Sequence, residues 1–155
     1  VNSASKEQHD KLVKIIRDVD PDFIITQGPD DYMGDHVETS KLTFNASFSA
    51  TVPHYEPQLG KPSRVVPIYY MDTLAGVNFN PTMYVDVTDT IDLKIKMLNC
   101  HESQIVWMRD HDNIDFAEFV KTGSRYRGLQ CGTGYAEGFT PCLAWPKIKA
   151  ARLLP

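Results

Sequence analysis

Apolar residues recur first with a helical period. Leu12, Ile15, Ile16 and Val19 stand at i, i+3, i+4 and i+7. That spacing gathers them on one face and predicts an amphipathic helix, with Ser5 and Gln8 at capping-box spacing in front of it. His9 falls on its polar side. Asp20-Pro21 ends the helix, because a residue before proline is driven out of the helical region. Phe23-Ile24-Ile25-Thr26 follows as a short continuous apolar run, the pattern of a buried parallel strand. Residues 27–34 hold two glycines and Pro29 and read as a loop. Asp35, with Glu38 three residues on, is the expected N-cap of a second helix. That helix carries Leu42, Ala46 and Ala50 on one stripe, with Phe44 and Phe48 beside it, and ends near Val52-Pro53.

Beyond Pro53 the pattern loosens. Residues 53–64 hold three prolines and a glycine and predict an irregular loop. Val65 to Met71 is a second strand, interrupted by Pro67, and Tyr84-Val85-Asp86-Val87 a third. Asp89 is placed to cap one long helix bearing Ile91, Ile95, Leu98 and Ile105. Asp112 or Asn113 opens another, with Phe116, Phe119 and Val120 apolar. Gly128, Gly132 and Gly134 punctuate its exit, and Tyr135 to Thr140 forms a last strand. Helices alternating with short apolar strands predict an α/β layered fold. Ligands of open α/β sheets bind beyond the carboxyl ends of strands, so residues 28–36 are where chemistry is expected.

Composition narrows the classes. The 155 residues are 42% hydrophobic and carry 16 basic against 20 acidic side chains, which suits one domain with a real core. The net charge of −4 lacks the clustered positive charge of a nucleic-acid footprint. No apolar run reaches the length of a membrane span. Cys100, Cys131 and Cys142 are too few and too widely spaced for a disulfide framework or a zinc knuckle, and read as reduced thiols in a cytosolic protein. Val1, not Met, at the first position reads as a processing site or the edge of a longer chain.

The segment Gly28-Pro29-Asp30-Asp31-Tyr32-Met33-Gly34-Asp35-His36 packs three carboxylates, a phenol and an imidazole into one loop and helix start. A neutral imidazole is a common zinc ligand, and a neighbouring carboxylate can orient it. Asp35 is suited to both capping and orienting. The same residues also describe an ordinary capped helix. Of the other histidines, His54 falls in the proline-rich loop and His111 sits between Asp110 and Asp112. His101, on the long helix, reads as a buried or interface residue. No nucleophile elbow, P-loop, HExxH motif or dinucleotide fingerprint is present.

Four stretches in order, "DPDFIITQGPDDYMGDHVETSKL", "VPIYYMDTLAG", "YVDVTDTIDLKIKMLNCHESQ" and "YRGLQCGTGYAEGF", resemble the carboxy-terminal two-thirds of the LmbE/PIG-L-like family. These are zinc-dependent hydrolases that remove acetyl groups from N-acetylglucosamine-type substrates. The resemblance implies an α/β, three-layer Rossmann-like fold with a mainly parallel sheet lacking its first strand, and a single domain over residues 1–155. It implies that His36 matches the third metal ligand of the family's His-Pro-Asp-His motif and Asp35 the residue before it. Met33 stands where the family has an oxyanion-stabilising His, and a thioether cannot donate a hydrogen bond. Tyr32, adjacent, supplies the donor instead. The family's amino-terminal His-Pro-Asp-Asp motif, with two ligands and the general base, has no counterpart here. Gly28-Pro29-Asp30-Asp31 imitates it, but Gly28 replaces the ligand histidine.

The expectation is therefore part of a metal-dependent deacetylase, with zinc as cofactor, an N-acyl sugar or glycoconjugate as partner, and Tyr32, Asp35 and His36 as site residues. The alternative is a non-catalytic α/β module that binds a sugar or a partner protein. A missing central strand would leave backbone groups exposed on its neighbour, which predicts marginal stability, aggregation or a homo-oligomer.

Overall fold

The computed structural model describes residues 1–148. They form two compact units, one of Val1–Thr73 with the segment from Thr140, the other of Leu74–Phe139. The strands β1 (Ile24–Thr26), β2 (Ile68–Met71), β3 (Met83–Asp86) and β4 (Ala136–Pro141) form one mixed sheet in the order β1-β2-β4-β3, which places the chain in the expected α/β class.

In the first unit, α1 (Lys6–Val19) starts where Ser5 Oγ accepts the Gln8 N–H at 3.4 Å. It ends at Asp20, whose left-handed backbone (φ 44°) sends its N–H back to Ile16 O. β1 (Ile24–Thr26) lies parallel to β2 (Ile68–Met71), with Ile24 opposite Ile68 and Thr26 opposite Tyr70. α2 (Gly34–Ser49) packs on α1. Val13 and Ile16 meet Ala46 and Ala50, with Leu12, Ile24, Tyr55 and Leu59 closing around them. The stripe expected on α2 is the buried one, and its alanines let the two helices approach.

The buried face of α1 is rotated from the expected one. Val13, Ile16 and Arg17 are inside, while Ile15 and Val19 are exposed. His9 turns inward too, correcting its assignment to the polar side. Its Nε2 meets Ser49 Oγ at 3.2 Å and its Nδ1 meets the Tyr55 hydroxyl at 3.0 Å. That hydroxyl donates to Asp10 at 2.6 Å, and the carboxylate holds the phenol above its ordinary pKa. Arg17 decides the phase. The end of α2 leaves carbonyls without helical partners, and the buried guanidinium supplies donors to them.

Lys147 is also buried, with Nζ donating to Ser47 Oγ at 2.8 Å over the Phe44 ring. Burial lowers its pKa. A folded-state pKa below the unfolded one means the folded chain resists protonation. This group therefore opposes folding below its folded pKa, and the opposition fades as pH rises towards the ordinary 10.5. Lys147→Met removes the charge and keeps the volume. It is expected to raise Tm at neutral pH, with the gain shrinking at alkaline pH in a calorimetric series.

In the second unit, β3 (Met83–Asp86) runs antiparallel to β4 (Ala136–Pro141), with Met83 opposite Phe139 and Asp86 opposite Ala136. The expected long helix is two: α3 (Ile91–Asn99) and α4 (Glu102–Asp112). His101 breaks the run with ψ of 61°, and stands exposed as the N-cap of α4 instead of buried. The apolar spacing from Leu98 to Ile105 is seven residues, so the helical period runs through the break and hides it. Asp89 lies in a 3-10 turn, and Thr90 holds the cap position of α3. Asp112 closes α4, and Asn113 is its left-handed C-cap. The cap of α5 (Phe116–Cys131) is Asp115, whose side chain accepts the Glu118 N–H at 3.0 Å.

The residues of the Arg-Gly and Ala-Glu-x-Phe stretches hold this unit together. Buried Arg127 donates to Phe79 O and Gln130 Oε1. Glu137 pairs with Lys94 at 2.7 Å, and Phe139 is buried. Gly128 faces backbone: a Cβ there would lie 2.8 Å from the carbonyl oxygens of Thr133 and Gly134. Gly128→Ala is expected to cost roughly 1–3 kcal/mol by overpacking, read as a fall of several degrees in Tm.

Candidate functional site

The loop after β1 and the first turn of α2 bring the chemistry together. Thr26, buried at the strand end, meets Thr43 of α2 through its hydroxyl at 3.3 Å and ties strand to helix. The chain then turns so that the Asp31 carboxylate points inward, with its side chain only 1% exposed. Oδ1 accepts the Met33 N–H at 2.9 Å, the Asx-turn bond that Asp forms two residues on. Oδ2 faces His36 Nδ1 at 2.8 Å. One buried carboxylate thus fixes both the residue that caps α2 and the imidazole in its first turn.

The bond dictates the tautomer. An ionised carboxylate only accepts, so the shared hydrogen sits on Nδ1 and the neutral ring keeps its lone pair on Nε2. The His36 side chain is 27% exposed, and Nε2 is the ring nitrogen turned away from Asp31. Carboxylate on one nitrogen and an electron pair on the other is how a metal-binding histidine is held.

The expected partner of His36 was Asp35, and the structure gives Asp31. Asp35 is exposed, and its backbone oxygen accepts the Thr39 hydroxyl at 2.8 Å. Nor is it the N-cap: α2 begins at Gly34, and Met33 holds the cap position without a side-chain bond. Tyr32 is half exposed between Asp31 and Met33. Asp30 is exposed and Met33 half-buried. The signal for Asp31 was present in its spacing, two residues before the cap and five before the histidine. Below the loop, Tyr70 stays a neutral phenol, because burial raises its pKa and the neighbouring Cys142 and Asp30 raise it further.

The metal question turns on donor count. Among the described residues no group of three or more His, Cys, Asp or Glu side chains could hold an ion. The residues present fit one position of a metal site, that of His36, and not a whole site.

No protein-family model matches the chain. A 1D-myo-inositol 2-acetamido-2-deoxy-alpha-D-glucopyranoside deacetylase from Streptomyces scabiei is 31% identical over 68 residues, which are 43% of this chain and 21% of that protein. The N,N'-diacetylchitobiose deacetylase of Pyrococcus horikoshii superposes with a TM-score of 0.67 at 23% identity, covering 89% of this chain and 52% of that one. Both are deacetylases, in line with the resemblance of the chain to the LmbE/PIG-L-like family. Two further structures share the fold. The conserved protein TT1542 from Thermus thermophilus has a TM-score of 0.73 at 26% identity, over 94% of this chain and 64% of its own. GalB, the 4-carboxy-2-hydroxymuconate hydratase of Pseudomonas putida, has 0.71 at 22%, over 96% and 63%. The chain therefore spans about a fifth of the curated relative it matches and half to two-thirds of the solved structures. Among the described residues no helix is long and apolar enough to cross a membrane.

Proposed function

We propose that this chain is part of a metal-dependent hydrolase that removes an acetyl group from an N-acetylglucosamine-type substrate, a small N-acyl sugar or glycoconjugate. The observation that carries the reading is the Asp31–His36 pair, with a buried carboxylate at 2.8 Å from Nδ1. The likeness to two deacetylases supports it. We assign residues 1–155 to one catalytic domain of that enzyme.

In this reading His36 Nε2 is a zinc ligand and Asp31 its positioning residue. A bound zinc ion lowers the pKa of a water and polarises the substrate carbonyl. The chain's own residues do the rest of what is assigned to it. Asp31 holds the imidazole in one tautomer and one orientation. Tyr32, exposed beside it, donates its phenolic hydrogen to the oxygen on which charge develops, in the place where Met33 cannot. Asp35 keeps a second carboxylate on the same helix turn. No residue of this chain is assigned the general base. Three free cysteines accord with a reducing compartment, the cytosol in this reading.

The test uses the full-length native protein. Acetate release from an N-acetylglucosaminyl substrate is followed before chelation, after it, and after zinc is restored, with metal content read by mass spectrometry. Stoichiometric zinc and chelator-sensitive release are expected. A well-folded protein with neither metal nor acetate release would leave the non-catalytic sugar- or protein-binding module. Asp31→Asn is expected to lower metal affinity about 10–100-fold, the usual cost of losing the partner of a ligating histidine, which competition with a chromogenic chelator measures.

A further inference from the structure

The helix α4 is unlike the others. None of its residues is buried. Ile105 and Met108 are half-buried on the side that rests on α5, yet a second apolar pair, Val106 and Trp107, faces outward, 46% and 50% exposed. The Trp107 ring stacks on His111, centroids 4.5 Å apart and planes 12° apart. A shallow depression runs along this side, lined by Glu102, Ser103, Val106, Trp107, Asp110 and His111. These stand at i, i+1, i+4, i+5, i+8 and i+9, one stripe along the helix.

The stripe reads the same in both directions by chemistry. A twofold axis between Val106 and Trp107 lays α4 antiparallel on a copy of itself. Val106 then faces Trp107, Ser103 faces Asp110, and Glu102 faces His111, each twice. The centre is apolar and aromatic, where binding energy concentrates. A hydroxyl meets a carboxylate, and an acid meets an imidazole. No like charges stand opposite each other. His111 Nδ1 is engaged by Asp112 at 2.8 Å, so Nε2 is the ring nitrogen facing the glutamate across the axis, to which an imidazolium donates and a neutral ring with its hydrogen on Nδ1 does not. Antiparallel packing also sets each helix's positive end beside the other's negative end.

We propose that this face of α4 is an isologous contact between two copies of the chain. A self-complementary stripe is what a closed twofold interface requires of one surface, and a different partner would not require it. The contact joins two copies through one helix each, so the association is a reversible one.

Sedimentation velocity on the full-length native protein, over a hundredfold range of concentration, tests it. Trp107→Glu is expected to abolish the association step, with far-UV circular dichroism unchanged, since the side chain is half exposed. Glu102→Lys and His111→Glu each place like groups across the axis, and each is expected to weaken association about tenfold. The double variant sets Lys opposite Glu and is expected to recover within about threefold of wild type; a tenfold change is 1.4 kcal/mol. Neither exchanged residue is buried, so the rescue remains readable if Trp107→Glu fails to fold. A monomer at every concentration would overturn the proposal. So would an association that Trp107→Glu leaves intact, or a double variant no better than the singles.

Discussion

Replacing His36 by alanine in the full-length protein will remove bound zinc and lower turnover on an acetylated amino sugar by at least about a hundredfold, since even the partner of a ligating histidine is worth 10–100-fold. The stability cost will be modest but not zero. The imidazole is partly exposed, so little packing is lost. The Asp31 carboxylate, however, is 1% exposed and loses one of its two donors. A buried acceptor without its partner costs roughly 1–3 kcal/mol. The double variant Asp31→Asn with His36→Ala removes that stranded charge and should regain stability without regaining metal. Mass spectrometry for zinc, kcat/KM and thermal unfolding on the three proteins separate the two effects. Wild-type zinc content and turnover in His36→Ala would end the ligand assignment. A large loss of Tm that the double variant does not relieve would mean His36 is a structural residue.

How far the sequence carried this site is clear from Asp31 and Asp35. Both were visible as acids beside a histidine, and His36 itself stood out. Propensity favoured Asp35, since an acid before a histidine at a helix start looks like a cap. The folded chain caps α2 with Met33 and reaches back to Asp31. That choice depends on which carboxylate the tertiary fold buries; the spacing of Asp31, five residues before His36, allows it but does not select it. The strands overlap their expected places because short apolar runs between turn residues have few alternatives, but β2 starts at Ile68, three residues after Val65, beyond the Pro67 that interrupts the run. α1 is more instructive. Ile15 and Val19 match a helical stripe as well as Val13 does, and only the carbonyls at the end of α2 make Arg17, and hence Val13, the inner face. The break at His101 is hidden for a related reason: no glycine or proline marks it, and the apolar period continues across.

Arg17→Ala will cause the largest loss of stability of any substitution considered. The side chain is buried and donates to six carbonyls: Ala50 at 3.1 Å, Glu56 at 3.0 Å, Val52 at 2.9 Å, Tyr55 at 2.8 Å, and Ser49 and Gly60 at 3.4 Å. They belong to the end of α2 and the proline-rich loop after it; Ser49, Ala50, Val52 and Glu56 also accept a backbone N–H, so the Tyr55 and Gly60 carbonyls depend most on Arg17. Bonds from a charged donor contribute about 1.5–3 kcal/mol each, and a stranded buried carbonyl costs about as much as a lost bond. Solvent reaching the loop will relieve part of this, which leaves about 4 kcal/mol or more, or a Tm lower by roughly 10 °C for a chain of this size. Arg17→Lys will not recover half of it, because one ammonium cannot reach carbonyls spread around a planar fork. A loss under about 1 kcal/mol would show that the loop finds other donors. The same helix separates stability from chemistry. Arg17 binds the end of α2 at Ser49, and His36 stands at its start, thirteen residues or about 20 Å away at 1.5 Å per residue. Below its unfolding temperature Arg17→Ala should therefore hold zinc as the wild type does. His36→Ala should keep most of the Tm and lose the metal.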